Sequence, residues 1–234
     1  MSLRLVILRG LTIALGGVGL LWGCLTLPRS EAADDFRYLE SQLLRSETFN
    51  PKVLALKLSS PAAQVLSDCD THSQTALLLV EMQLAQAALR AGAVDEFDQR
   101  ARSLDTRSKR VLICAPRQSF VWLLALSLEI MHGRLNERAL DLLAMSYETS
   151  PNEGWIAIRR IIVATPLLLL IPEPLQEKVL VEFQQLVRNG FVHEAALSYS
   201  GASTSIRSLL QTRIERLDAR QQKAFWDEIE KIHS

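Results

Sequence analysis

Apolar residues recur three and four positions apart along most of this chain, the spacing that gives a helix one greasy face. Phe36, Leu39, Leu43 and Leu44 mark a first amphipathic helix, and Asn50-Pro51 and Ser60-Pro61 open two short ones, each with a capping side chain before a first-turn proline. Thr71 is the expected cap of a long helix carrying Ala76, Leu77, Val80, Leu84, Ala87 and Ala88 and ending at Gly92. Its antiparallel partner runs from Val94 to Ile113 through Phe97, Ala101, Leu104 and Val111.

The stretch from Arg117 to Arg160 organises the rest. It holds two amphipathic helices, a turn at His132-Gly133 with Asn136 as the second cap, and the start of a third helix. Ser150-Pro151-Asn152-Glu153 reads as a capping box, in which Ser150 accepts from the Glu153 amide and Glu153 reaches back to the Ser150 amide. The third helix continues through Trp155, Ile158, Ile161 and Ile162 to Pro166, and LLLLIPEP after it reads as the most buried part of the core. Further helices follow at Glu173 to Asn189, with Val179, Leu180, Phe183, Leu186 and Val187 inward, then at Phe191 to Tyr199 and Thr204 to Leu217. The last is capped by Asp218 and carries Phe225, Trp226 and Ile229 inward. Alternating strand-like patterns are nowhere sustained, so the fold class is all-α.

The amino terminus breaks this amphipathic pattern. Leu11 to Leu27 carries no charge, follows Arg4 and Arg9, and precedes Glu31, Asp34 and Asp35. That arrangement predicts a signal-anchor over residues 1–32 with the amino end in the cytoplasm, and a helical domain over 33–234 outside it. The expected location is a bacterial inner membrane, single-pass, with the bulk of the chain in the periplasm. Small residues in Ser30-Glu31-Ala32 leave cleavage open, and Leu21-Trp22-Gly23-Cys24 leaves a lipid anchor open; an uncleaved anchor is the preferred reading. Gly19 and Gly23 form a GxxxG through which two copies could pair as a homodimer.

Composition narrows the function. Lys plus Arg and Asp plus Glu both number 26 in 234 residues and are interleaved, which removes the electrostatic footprint of a nucleic-acid binder. Past the anchor only Cys69 and Cys114 remain, a candidate disulfide in an oxidising compartment, with two separate buried thiols as the alternative. Folding Thr71 to Cys114 back on itself would bring the two together, and the loop closed would be worth about 4 kcal/mol in the chain-entropy model. His72, His132, His193 and His233 are dispersed at helix ends, and no GxSxG, HExxH or phosphate-cradling loop occurs. The expectation is a non-enzymatic chain with no cofactor and no metal.

Two charges stand out. Arg159 and Arg160 lie between WIAI and IIVA, and either one receives an anionic ligand or one pairs with a buried acid, for which Glu129 in LLALSLEIM is the natural candidate. Trp122, Trp155 and Trp226 read as core anchors. A pocket of Trp155, Arg159 and Arg160 would support the alternative function, a glycan or anionic small-molecule binding module.

Between Pro116 and Pro151 the chain resembles a tetratricopeptide repeat. Leu123, Leu126, Ser127, Ile130, Ala139, Leu143, Ser146 and Pro151 fall where that pattern places its large, small and closing residues, with Gly133 one residue early for the turn. The resemblance implies stacked antiparallel helical hairpins in a right-handed solenoid, in a family that scaffolds rather than catalyses. SFVWLLALSLEIM, SYETSPNEGW and the following EF-containing helix are also similar to helical-repeat proteins of bacterial envelope and exopolysaccharide systems. That likeness implies a membrane-anchored scaffold that binds protein partners in an envelope assembly, with polysaccharide biosynthesis or export as its setting.

Overall fold

The computed structural model describes residues 3–44, 49–67 and 69–234, without the side chains of residues 3–9, 28, 29 and 44. The side chains of Arg4, Arg9 and Leu44, used above, therefore lie outside the described residues. Every regular element among the described residues is helical. The chain divides into two compact units, Met1–Pro116 and Arg117–Ser234.

The first unit begins with α1, Leu3–Leu44, which runs unbroken through Gly10, Pro28 and the expected boundary at residue 32. Pro28 removes one backbone donor from the ladder, yet the helix continues because its far half has somewhere to pack: Ala32, Phe36, Leu39 and Leu43 are all buried. Its near half has no such face. Leu11, Ile13, Leu15, Val18, Leu20, Leu21, Trp22, Leu25 and Leu27 are each more than half exposed on every side of the helix, and α1 is long and apolar enough to cross a membrane.

Asn50 and Ser60 cap the short helices α2 (Pro51–Leu58) and α3 (Pro61–Val65) by accepting from the amides of Lys52 and Ala63. The centre of the unit is α4, Thr71–Arg90, which packs against α1, α2 and α5, Val94–Cys114. Asp70, not Thr71, holds the cap position of α4, and its carboxylate accepts from the Ser73 hydroxyl (2.6 Å) rather than from a backbone amide. The α4–α5 turn needs Gly92 at φ +69°, which lets the Ala93 amide reach the Ala88 carbonyl at 2.9 Å and closes the helix end. Phe97, Ala101, Leu104 and Val111 line the inward face of α5. At the open end of the hairpin Cys69 and Cys114 are disulfide-bonded, 45 residues apart in sequence and 5.3 Å between Cα atoms.

In the second unit α6 (Ser119–Met131) and α7 (Glu137–Thr149) form a hairpin across Gly133, and Asn136 caps α7 through the Ala139 amide. Then follow α8 (Gly154–Ala164), a 3-10 turn (Thr165–Leu167), α9 (Glu173–Arg188), α10 (Val192–Ser200), α11 (Thr204–Ile214) and α12 (Ala219–His233). Helix α9 packs on α8, α10, α11 and α12, so Val179, Phe183, Leu186 and Val187 meet several neighbours at once. Phe183, Tyr199, Phe225 and Trp226 add edge-to-face ring contacts at 5.1–5.9 Å. Asp218 accepts from the Gln221 amide at 2.8 Å to start α12.

Two sequence readings are corrected here. The capping box at Ser150–Glu153 does not form: α7 ends at Thr149, α8 starts at Gly154, and Ser150 Oγ is buried without a hydrogen-bond partner. Its residues are engaged otherwise, since the Ser150 carbonyl accepts from Arg160 and the Glu153 carboxylate accepts from Trp155 Nε1. The LLLL run is not uniformly buried either. Leu167, Leu168 and Ile171 face the core, while Leu169 and Leu170 are exposed, as a helical path that continues past Pro166 requires.

Candidate functional site

Adjacent residues on a helix point about 100° apart, so Arg159 and Arg160 cannot share a destination. Arg160 points inward and is fully buried. Its Nε donates to both carboxylate oxygens of Glu182 at 3.0 and 3.2 Å, and Nη2 donates to Glu182 and to the Ser150 carbonyl. Nη1 donates to the Ser146 carbonyl at 2.6 Å and to Ser146 Oγ. The guanidinium also lies 4.0 Å from the centre of the Tyr147 ring, whose hydroxyl donates to Glu182 at 2.9 Å. Ser119 joins α6 to the cluster by donating to the Ser146 carbonyl. Three helices therefore meet on one cation and α6 joins them through Ser119; the cation also satisfies carbonyls at the end of α7 that the helix leaves open.

Burial sets the electrostatics. It pushes the Glu182 carboxyl above its ordinary range, against Arg160 and the Tyr147 hydroxyl, which pull it down. Burial and the neighbouring Glu182 charge together push the Tyr147 phenol well above its usual value. Such a network holds one arrangement of helices and leaves no donor of Arg160 for a ligand.

Glu129 is not the partner of either arginine. Once the chain turns at Gly133 it returns directly over the end of α6, so Arg134 Nε donates to Glu129 at 2.7 Å and Arg138 lies at 3.5 Å. Those neighbours in sequence reach Glu129 first, whereas the inward face of α8 meets α9 and the end of α7. Glu182, Tyr147 and Ser146 complete the cluster, and sequence reading did not assign them to it. The signal for Glu182 was present: an acid three residues after Val179 and four before Leu186 stands on the inward face of α9.

Arg159 lies with its guanidinium 5.8 Å from the Phe120 ring, and partial burial lowers its pKa. Trp155 stacks at a tilt on the same ring, 5.5 Å between centroids, but it is 40 % exposed and is not a core anchor. The expected pocket of Trp155, Arg159 and Arg160 is thus not assembled, because Arg160 faces the interior.

What α8 does present is a surface. Trp155, Ile162, Leu169 and Leu170 are 40, 53, 52 and 67 % exposed; Trp155 and Ile162 lie two turns apart on one side of α8, and Leu169 and Leu170 lie in the turn that follows the 3-10 segment. Exposed apolar surface of this kind marks sites of association more often than an isolated exposed leucine does. Beside the start of α8 is a polar cavity of about 320 Å³ lined by Asn152, Gly154, Gln185, Arg188, Asn189 and Phe191 among others. The first unit has a shallower cleft of about 260 Å³ on α5.

Among the described residues no three His, Cys, Asp or Glu side chains converge as metal ligands would. His72 and His193 instead lie 3.1 and 2.8 Å from single carboxylate oxygens of Glu40 and Glu228. No protein-family model, curated protein or solved structure matches this chain.

Proposed function

We propose that this chain is a non-enzymatic, membrane-anchored adaptor whose second unit docks an apolar helix of a protein partner along Trp155, Ile162, Leu169 and Leu170. One observation carries the reading: four large apolar side chains are exposed on α8 and the turn that follows it, in a unit that buries most of its other apolar residues. Trp155 is of a type enriched where interface binding energy concentrates, and contiguous exposed apolar surface marks sites of association. The α6–α7 hairpin, with Gly133 at its turn, supports the tetratricopeptide-like part of the reading, and a solenoid of such hairpins would set partner proteins side by side.

The exposed near half of α1 supports anchoring in a bacterial inner membrane with the bulk of the chain in the periplasm, where a Cys69–Cys114 disulfide persists. Gly19 and Gly23 have open space around them on that helix, which suits a homodimer of anchors. An envelope assembly for polysaccharide biosynthesis or export remains the proposed setting. Photo-crosslinking in cells from position 162 or 169 tests the docking surface. The expected result is a discrete adduct that disappears in Leu169→Glu/Leu170→Glu; crosslinks equal to those from the charged outer face of α12 would refute it.

The exposure of Trp155 favours one second reading, a glycan platform. The two separate cleanly: loss of binding in Trp155→Ala with none in the Leu169/Leu170 double variant points to sugar.

A further inference from the structure

The cleft on α5 is lined by Arg102, Ser103, Thr106, Arg107 and Arg110. These positions are spaced to share one side of the helix, so three guanidiniums converge on a concavity of about 260 Å³. Like charges at such spacing repel, and the rest of α5 avoids that repulsion. Arg100 pairs with Glu96 and Lys109 with Asp105, each one turn away. Arg102 and Arg110 have no carboxylate partner among the described residues. Arg107 between them is fixed from below: its Nη1 donates to Gln74 at 2.9 Å, and Nη2 lies 3.5 Å from Glu81, an almost fully buried acid that also accepts from the Ser103 hydroxyl at 2.7 Å. Among the described residues Glu81 is thus the one acid paired with the lining residues, and it balances a single positive charge of the three.

We propose that this cleft binds an oxyanion, in particular the phosphoryl group of a phosphomonoester or phosphodiester. Arg107 is pre-oriented by Gln74 and Glu81, and Arg102 and Arg110 close over the anion from the two sides. Guanidinium forks match phosphate oxygens in geometry and retain their charge at all relevant pH. The volume exceeds that of a bare phosphate and admits a substituted headgroup or a sugar phosphate. A lipid headgroup and a soluble phosphate ester share this chemistry, and the cleft belongs to the same unit as the apolar half of α1.

The test uses the full chain in a non-ionic detergent, titrated calorimetrically with inorganic phosphate and, separately, with a short-chain phosphatidylglycerol. Arg102→Gln/Arg110→Gln is expected to weaken binding by at least about tenfold, the value of one charge-assisted hydrogen bond, with an unchanged melting temperature. Arg100→Gln/Lys109→Gln is the control of equal charge change and should bind as the parent does. Binding of phosphate as tight as that of the lipid identifies a soluble ester, and binding of the lipid alone identifies a headgroup. No heat with either probe, or equal weakening in the control variant, overturns the proposal.

Discussion

The two units solve one problem in different currencies. Each must fasten helix ends that backbone hydrogen bonds leave loose. The first fastens the open end of the α4–α5 hairpin covalently through Cys69 and Cys114; the second contains no cysteine and fastens α7, α8 and α9 through Arg160, with α6 joined through Ser119. Their buried polar clusters differ accordingly. Beneath α5, Glu81 Oε2, Arg107 Nε and Ser108 Oγ are buried without partners, whereas the Arg160 guanidinium donates from all three of its nitrogens. Beside Arg160 too a hydroxyl, Ser150 Oγ, is left without a partner, but the charge itself is fully compensated, as it must be because an uncompensated buried charge is among the costliest defects in a fold.

Breaking the ionic tie should therefore have the largest effect. Arg160→Met or Glu182→Leu alone is expected to lower stability by about 3–5 kcal/mol in urea unfolding, because each strands the other charge. The double variant should lose much less than the sum; additive losses would show that the pair is not coupled. Opening the covalent tie comes next. Cys114→Ser should cost about 2–4 kcal/mol under oxidising conditions and nothing relative to the parent once both are reduced. Thermal unfolding with and without reductant reads the difference.

The caps give a smaller contrast. Asn136→Ala should cost about 1 kcal/mol, as a working cap does, whereas Ser150→Ala should cost nothing measurable, because its hydroxyl caps no helix. The smallest effect is electrostatic. Hydrogen bonds from His193 and then Lys231 hold the Glu228 carboxyl below its ordinary value. Its contribution is therefore present above the ordinary carboxylate range and lost as pH falls through the lowered folded value. A Glu228→Gln variant should lack that part of the acid limb in melting curves taken from neutral to about pH 3, and identical limbs would exclude it.

Much of the architecture was legible because prolines, glycines and capping side chains punctuate helices locally. Asn50, Ser60, Asn136 and Asp218 all cap where the pattern placed them, and Gly92, Gly133 and Gly190 all take positive φ at helix ends. The site was legible only in part. Periodicity tells which side of α8 faces inward, hence that one of Arg159 and Arg160 is buried, but not which helix lies opposite. Glu129 and Glu182 both stand on apolar faces, and only the packing of α8 against α9 decides between them. Ser150-Pro151-Asn152-Glu153 misled because α8 starts only at Gly154, with Glu153 rather than Ser150 at its cap position. Trp155 reads as a buried residue by type, and its exposure depends on what fails to cover it.

The unbroken course of α1 has a mechanical corollary. A helix of 42 residues is about 63 Å long, and between its solvent-facing apolar stretch and the packed stretch that begins at Ala32 it contains no joint. Tilt or spin imposed at one end is carried along the helix toward the α4–α5 hairpin, with the hydrogen bond lost at Pro28 as the softest point between. One residue inserted between Leu27 and Ala32 would turn the packed stretch of α1, and the α4–α5 hairpin with it, by about 100° relative to the apolar stretch.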